Sequence, residues 1–266
     1  MVSENKGFED YYFSIYRDRW ETLKKSLWEE PLQTPYSHRL KAPYFLGRAS
    51  ILAAESLRLP NEGEVLDACA APGGKTLVLA SRMAAGVRLL ANELSGERRG
   101  RLSRVLDEHL DTALRGRVTV SGFDAAALAG KERERNRFAS VLLDAPCSSE
   151  AHVMRNEAAL AAWSPARPRF LAKRQWALLS AAFLLLAPGG SLVYATCAVT
   201  PEENDGVASR ILKKYGEEAI LDRPDFCEGE ETETGRIILP DRENGAGPMF
   251  VARFRKKPSP YTRGLG

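Results

Sequence analysis
The stretch Asp67-Ala68-Cys69-Ala70-Ala71-Pro72-Gly73-Gly74-Lys75-Thr76 follows a short apolar run, Val65-Leu66, and leads into Thr76–Met83, whose apolar residues have helical spacing. A buried strand that runs into small residues and then a helix is the repeating unit of open α/β sheets. Ligands of such sheets bind beyond the carboxyl ends of the strands, and small residues there let the backbone approach a ligand closely. Two phosphate-binding loops are excluded by inspection. A Walker loop needs Gly at position 69, which is Cys69, and the spacing Gly-x-Gly-x-x-Gly is absent.

Outward from this loop, strand-like and helix-like runs alternate. Val87–Asn92 precedes Glu97–Leu110, Val118–Val120 precedes Ala125–Ala129, and Ala139–Leu143 precedes Leu171–Leu186. Ser191–Tyr194 and Ile237–Leu239 bracket a helix near Glu202–Lys214, and Met249–Phe254 closes the series. The pattern predicts a doubly wound, Rossmann-like α/β sheet, mostly parallel, with an antiparallel edge near the C-terminus. Tyr11–Trp28 reads as helix, with Tyr11, Tyr12, Tyr16, Trp20 and Trp28 packing onto the core. Pro31–Pro43 reads as loop and Ser50–Leu59 as a second helix. Three parts are therefore expected: an N-terminal helical extension over residues 1–60, a main domain over 61–255 and a basic, loosely ordered tail over 256–266.

With 266 residues, 44% of them hydrophobic and 27% charged, the chain has the composition of a folded domain and not of a disordered or fibrous one. The most apolar run, Ala177–Ala187, is too short to span a membrane, and Met1–Asp10 lacks a signal peptide's apolar segment, so the cytoplasm is the expected location. Cys69, Cys147, Cys197 and Cys227 have no metal-type spacing and are expected to be free thiols, with no bound metal. Lys plus Arg exceed Asp plus Glu by 38 to 35, a net charge of +3 that permits a nucleic-acid partner without arguing for one.

Glu93 ends the second strand about 20 residues past the glycine pair, where an acid in this architecture accepts hydrogen bonds from a ribose diol. Taken alone, Gly73-Gly74 is a turn and Glu93 a solvated strand end; together they point to a nucleoside ligand. Asp144 and Cys147 end the run Val141–Leu143, and Cys197 ends Val193–Thr196, so two thiols and a carboxylate can converge at neighbouring strand ends. An isolated Cys is ordinarily a small buried hydrophobe.

The loop from Asp67 to Thr76 resembles, nearly letter for letter, the cofactor loop of the RNA 5-methylcytosine methyltransferases of the NOL1/NOP2/Sun (RsmB/NOP) family. The resemblance continues through Asp144-Ala145-Pro146-Cys147-Ser148, Ala195-Thr196-Cys197 and Pro201-Glu202-Glu203-Asn204, covering roughly Ala49 to Arg255. It implies a methyltransferase domain that uses S-adenosylmethionine, held by Cys69, Ala70, Ala71, Pro72, Gly73, Gly74 and Lys75 of the loop, with Glu93, Arg98, Asp124 and Asp144. In this resemblance Asp124 meets the adenine amino group, and Cys69 is a small packing member of the loop. It further implies that Cys197 is the nucleophile, that Cys147 assists proton removal and release, that Asp144 meets the cytosine edge and that Lys75 reaches the base carbonyl. A helix expected to start near Thr200-Pro201 would favour the Cys197 thiolate through its positive end. Two departures stand out: Ser149 replaces the Gly common after Pro-Cys-Ser, and Ala198 replaces the Ser common after Thr-Cys.

Cations cluster at Arg98, Arg99, Arg101 and Arg104, and again from Trp163 to Trp176, where Arg167, Arg169, Lys173 and Arg174 interleave with aromatics. His152–Ala162 has the length of an active-site loop that contacts a splayed-out nucleotide. The resemblance implies a compact catalytic-domain form acting on RNA, ribosomal RNA ahead of transfer RNA, with a ribosomal subunit or protein as further partner. Two rival readings are DNA cytosine-5 methylation through Cys147, disfavoured because no Glu-Asn-Val segment is present, and a non-catalytic RNA-binding ribosome assembly factor.

Overall fold
Asn5 starts the first helix, α1 (Lys6–Tyr16), by accepting the Phe8 amide hydrogen on its side-chain oxygen. Residues 5–259 are described by the computed structural model; Met1 to residue 4 and 260–266, most of the expected tail, lie outside the described residues. A 3-10 turn at Arg17–Arg19 divides the helix expected over Tyr11–Trp28, and α2 (Trp20–Trp28) follows. Arg19 holds that kink by pairing with Asp241 at 2.7 Å and Glu230 at 2.6 Å, partners distant in sequence. Phe8, Tyr12, Trp20, Leu23 and Leu27 are buried with Val153, Met154, Leu160, Trp163 and Val199, whereas Trp28 stays 46% exposed, contrary to its expected packing role.

The expected loop at Pro31–Pro43 contains a strand. β1 (Gln33–Tyr36) pairs antiparallel with β2 (Tyr44–Gly47), Thr34 opposite Leu46. Pro35 is tolerated because an isolated two-stranded ribbon leaves each strand an outer edge where no amide hydrogen is required. α3 (Arg48–Glu55) then leads to the main sheet.

The sheet and its helices follow the alternation in the sequence: β3 (Glu62–Asp67), α4 (Gly74–Arg82), β4 (Gly86–Asn92), α5 (Gly96–His109), α6 (Thr112–Arg115), β5 (Val118–Ser121), α7 (Ala125–Leu128) and β6 (Phe138–Asp144). Next come α8 (Glu150–Arg155), α9 (Glu157–Ala161), α10 (Ala166–Leu185), β7 (Leu186–Thr196) and α11 (Asp205–Tyr215). The chain closes with β8 (Ala219–Leu221), β9 (Glu230–Glu231), β10 (Gly235–Ile238) and β11 (Met249–Lys256). Among the described residues the strand order is β5-β4-β3-β6-β7-β11-β10-β9, with β8 pairing the far end of β11; β5 to β7 run parallel and the remainder antiparallel.

Alternate residues of the central strands enter opposite cores. Val65, Leu142, Val193 and Ala195 pack with α3, α4 and α5, while Leu66, Val141, Leu143, Leu192 and Tyr194 pack with α7, α10 and α11. Burial on both faces is why these strands read as nearly unbroken apolar runs. The chain winds outward in one direction from β3 through β4 to β5 and in the other through β6 to β7. A crevice opens at that reversal, beyond the carboxyl ends of the strands.

Two expectations are corrected near this crevice. His152–Ala162 is not a loop: α8 and α9 occupy it and bury Val153, Met154 and Leu160 against the N-terminal helices. α11 begins at Asp205, not near Thr200-Pro201, so its positive end lies eight residues from Cys197 along the chain. Asn204 explains the delay: it accepts from the Thr196 hydroxyl at 2.6 Å and donates to the Ala198 carbonyl at 3.0 Å, holding Pro201–Asn204 in a turn.

Candidate active site
Asp67, at the end of β3, accepts the Thr76 hydroxyl hydrogen at 2.7 Å and so ties both ends of the glycine loop together. Burial pushes its carboxyl up to about 7. Asn92 stitches the neighbouring strand end to the loop, donating to the Ala68 and Phe123 carbonyls. Gly73 has φ +122°, a backbone closed to most side chains, and a Cβ on Gly74 would meet the Tyr44 ring at 2.9 Å.

The loop divides the crevice. A cleft of about 380 Å³ is lined by Cys69, Ala71, Glu93, Arg98, Asp124, Asp144, Cys147 and Cys197. Ala70, Pro72, Gly74 and Lys75 instead line a cavity of about 210 Å³ on the other side, shared with Cys69, Ala71 and Asp144. Gly73 lines neither, and a Cβ on it would meet the Val105 and Leu102 side chains at 3.0 and 3.2 Å. In the cleft, Glu93 is buried; one carboxylate oxygen accepts from the Ser95 amide at 2.9 Å. The other lies 3.1 Å from Arg98 without hydrogen-bond alignment, and this orphaned acceptor fits a diol donor. Arg98 also donates to the Ala71 carbonyl at 2.8 Å, bracing the loop.

Parallel pairing of β6 with β7 places Asp144 opposite Ala195 and brings the two cysteine loops side by side. The Cys147 and Cys197 sulfurs lie 2.8 Å apart, although 50 residues separate them. Lys75 donates to Asp144 at 2.8 Å and to Ser50 at 3.2 Å. Burial alone would pull the Lys75 ammonium down, but the Asp144 carboxylate more than offsets it and leaves the lysine firmly charged. The Cys197 thiol is pulled below its ordinary range, first by the hydrogen bond from Cys147 and then by the Ser149 hydroxyl, with burial opposing. The Cys147 thiol is pushed up, because its hydrogen serves Cys197 and because it is buried. Cys197 also borders a third cavity of about 250 Å³ between Gln33, Ser50, Ala151 and Met249, so its sulfur stands between two openings.

Behind the thiols lies a buried acidic support that sequence reasoning missed. Glu150 accepts from the Tyr12 hydroxyl at 2.7 Å, from the Ser148 hydroxyl and from the Val199 amide at 3.2 Å, joining the extension to both cysteine loops. Glu203 accepts from the Ser148 amide at 3.0 Å and Gln175 at 2.7 Å. The signals were present in Ser148-Ser149-Glu150 and in Glu203 of the Pro-Glu-Glu-Asn stretch, but nothing in their spacing reveals that they meet.

Burial raises Glu203 to about 7, as it does Asp67. Both acids ionise near 4 when unfolded, so between about pH 4 and 7 the fold holds more protons than the unfolded chain. Their stabilising contribution is complete below about pH 4 and is lost as pH rises through about 7. Glu203→Gln, which cannot ionise, is expected to flatten this loss by up to about 2 kcal/mol. Urea unfolding of both proteins from about pH 5 to 8 measures it; identical slopes would contradict the assignment.

Among the described residues, no group of three or more His, Cys, Asp or Glu is placed to hold a metal ion, and no helix is long and apolar enough to cross a membrane. Cys227 is exposed and remote from the thiol pair in sequence motif. Just before α10, Trp163 is buried beside Phe8 and Tyr12 as an anchor of the N-terminal helices. Phe170 is 67% exposed and Arg167, Arg169, Lys173 and Arg174 are exposed around it; Arg174 borders the cleft.

The strand order, the loop beyond β3 and the cleft at the strand ends define a Rossmann-like methyltransferase fold. A crystal structure of a methyltransferase homolog protein from Pyrococcus horikoshii superposes with a TM-score of 0.75 at 22% identity, covering 96% of each chain. NSun6 from the same organism, solved with SFG, gives 0.68 at 23% identity over 85% of this chain and 57% of that one. The chain belongs to the family described as 16S rRNA methyltransferase RsmB/F, whose model matches residues 54–255. Ribosomal RNA small subunit methyltransferase F of Klebsiella pneumoniae (strain 342) is 34% identical over 233 residues, 85% of this chain and 47% of that protein. Its counterpart from Escherichia coli O139:H28 is 33% identical over 251 residues, 92% and 50% respectively. The chain thus spans about half the length of these curated relatives.

Proposed function
We propose that the chain is an S-adenosylmethionine-dependent RNA cytosine-5 methyltransferase acting on ribosomal RNA through a covalent Cys197 adduct. The observation that carries this reading is the pair of sulfurs 2.8 Å apart at two strand ends, beside the Lys75–Asp144 ion pair. Carbon 5 of cytosine is a weak nucleophile until a thiolate adds to carbon 6 and drives the ring's electron pair toward carbon 5. Asp144 and Lys75 are suited to hold the ring nitrogen and carbonyl edge while that charge develops. Cys147 is suited to take part in removing the carbon 5 proton, after which the carbon–sulfur bond breaks and Cys197 leaves as thiolate.

S-adenosylmethionine supplies the methyl group when bound. Glu93 would accept from its ribose hydroxyls, Asp124 would meet its adenine amino group and Arg98 would line its pocket. The exposed cations beside Phe170 suit an RNA strand approaching the cleft, since phosphate contacts come from such side chains and a base can stack on the ring. In this reading residues 61–255 are the catalytic unit, 1–60 its helical extension and 256–266 a basic tail. The substrate is ribosomal RNA ahead of transfer RNA, with a ribosomal subunit or a protein as further partner, in the cytoplasm.

Methyl transfer from labelled S-adenosylmethionine to naked ribosomal RNA, isolated small and large subunits, transfer RNA and duplex DNA tests the proposal. Labelled 5-methylcytidine in a ribosomal fraction is the expected product. Label only in DNA, or in a nucleoside other than 5-methylcytidine, would overturn it.

A further inference from the structure
Ser149 is one of two positions where this chain departs from the family pattern, and its backbone is left-handed, with φ 53° and ψ 61°. A residue with a Cβ is disfavoured there, while the glycine common at this position adopts the same conformation without penalty. Strain retained beside reacting groups points to a use for the side chain that requires it. The Ser149 hydroxyl oxygen lies 3.2 Å from the Cys197 sulfur and 3.5 Å from the Cys147 sulfur, and all three residues line the cleft.

We propose that Ser149 is a further catalytic residue, whose hydroxyl donates its hydrogen to the Cys197 thiolate and thereby raises the fraction of sulfur ready to attack. The inference rests on Cys197 being the nucleophile of the proposed reaction. The proton leaving Cys197 passes to solvent, and the sulfur then accepts two hydrogen bonds, one from the Cys147 thiol and one from Ser149. Other charged groups also face this sulfur. Asp144 from β6 and Glu150 from α8 oppose its ionisation, and Lys75 from α4 interacts with it as a cation. Arg174 from α10 shares the cleft. Two nearby carboxylates make direct donors to the thiolate more important here than in a site that is simply basic. With the α11 terminus displaced to Asp205, the hydroxyl also does what a helix end does for other reactive cysteines.

Ser149→Gly and Ser149→Ala, made in the full chain, separate the hydroxyl from the backbone. Both lack the donor, but only Gly relieves the left-handed strain. Alkylation of Cys197 by iodoacetamide, resolved by peptide mass spectrometry across about pH 6–10, reads the thiolate directly. In both variants the midpoint is expected to rise by about one pH unit, the effect of losing one hydrogen bond to a charged group. The rate near pH 7 falls only about threefold, because a more basic thiolate is also more nucleophilic. The melting temperature is expected to rise for Gly and not for Ala. An unchanged Cys197 midpoint in either variant, or a shift confined to Cys147, would overturn the assignment. Because alkylation needs no methyl transfer, a shifted midpoint in a chain that methylates no RNA would uphold the hydroxyl's role while removing the proposed reaction.

Discussion

Cys197→Ser is expected to reduce methyl transfer by at least about a thousandfold, with RNA binding intact, because a serine hydroxyl at this site stays protonated and cannot add to carbon 6 of the base. Cys147→Ala is expected to behave differently. Its loss removes a donor to the Cys197 sulfur and the group placed for late proton removal, so attack slows while release fails. A covalent protein–RNA species should therefore accumulate in Cys147→Ala and be absent from Cys197→Ser, read as a shifted band on a denaturing gel. The reverse pattern, adduct in Cys197→Ser and none in Cys147→Ala, would exchange the two roles and match the order of attack of the DNA enzymes. Ser149 favours the first assignment, since its hydroxyl lies nearer the Cys197 sulfur, at 3.2 Å, than the Cys147 sulfur, at 3.5 Å.

Asp144→Ala is expected to lower kcat by about two to three orders of magnitude, the usual effect of removing one preorganised group that meets developing charge. The reason lies in its position. Asp144 borders both the main cleft and the cavity behind the glycine loop, and among the described residues it is the carboxylate ion-paired with the Lys75 ammonium. Its removal leaves Lys75, 13% exposed, without its ion-pair partner, so a stability loss of about 1–3 kcal/mol should accompany the loss of turnover. Asp144→Asn keeps the shape and one acceptor but not the charge, and should recover only part of the stability without recovering kcat. Parallel steady-state kinetics and urea unfolding make the distinction. An Asp144→Ala protein with kcat within a few fold of the unsubstituted chain would show that the ion pair is only architectural.

The acidic support behind the thiols connects folding of the N-terminal helices to the reacting corner. Tyr12 reaches Glu150, Tyr11 reaches the Thr200 hydroxyl at 3.0 Å, and Tyr16 donates to the Val199 carbonyl at 2.6 Å. These aromatics pack the extension and at the same time fix the segment after Cys197. Displacement of a reacting atom by about 1 Å can cost a hundredfold in rate, so in the proposed reaction the extension would influence turnover through the position of Cys197.

Much of this molecule is legible without coordinates because its local rules agree. The strand Val65-Leu66, the small-residue loop and the helix after Gly74 follow from periodicity and from the conformational freedom of glycine, and strand alternation set the sheet class. Cys147, Cys197 and Asp144 announce themselves as groups at strand ends. What sequence could not supply was every relation that depends on two distant segments meeting. Helical spacing over Tyr11–Trp28 carries no sign of the turn at Arg17–Arg19, which is held by Asp241 and Glu230 more than 200 residues away. The start of α11 moved because Thr196 and Ala198 capture Asn204, a competition that propensity does not record. The order of β6 beside β7 placed two sulfurs in contact, and the left-handed turn at Ser149 brought a hydroxyl onto one of them. Hydrophobic period and turn chemistry act over a few residues, so the sequence by itself determined which elements form. Hydrogen bonds and charges act through space, so only the tertiary structure decided which side chains share the cleft and which hydroxyl meets the two sulfurs.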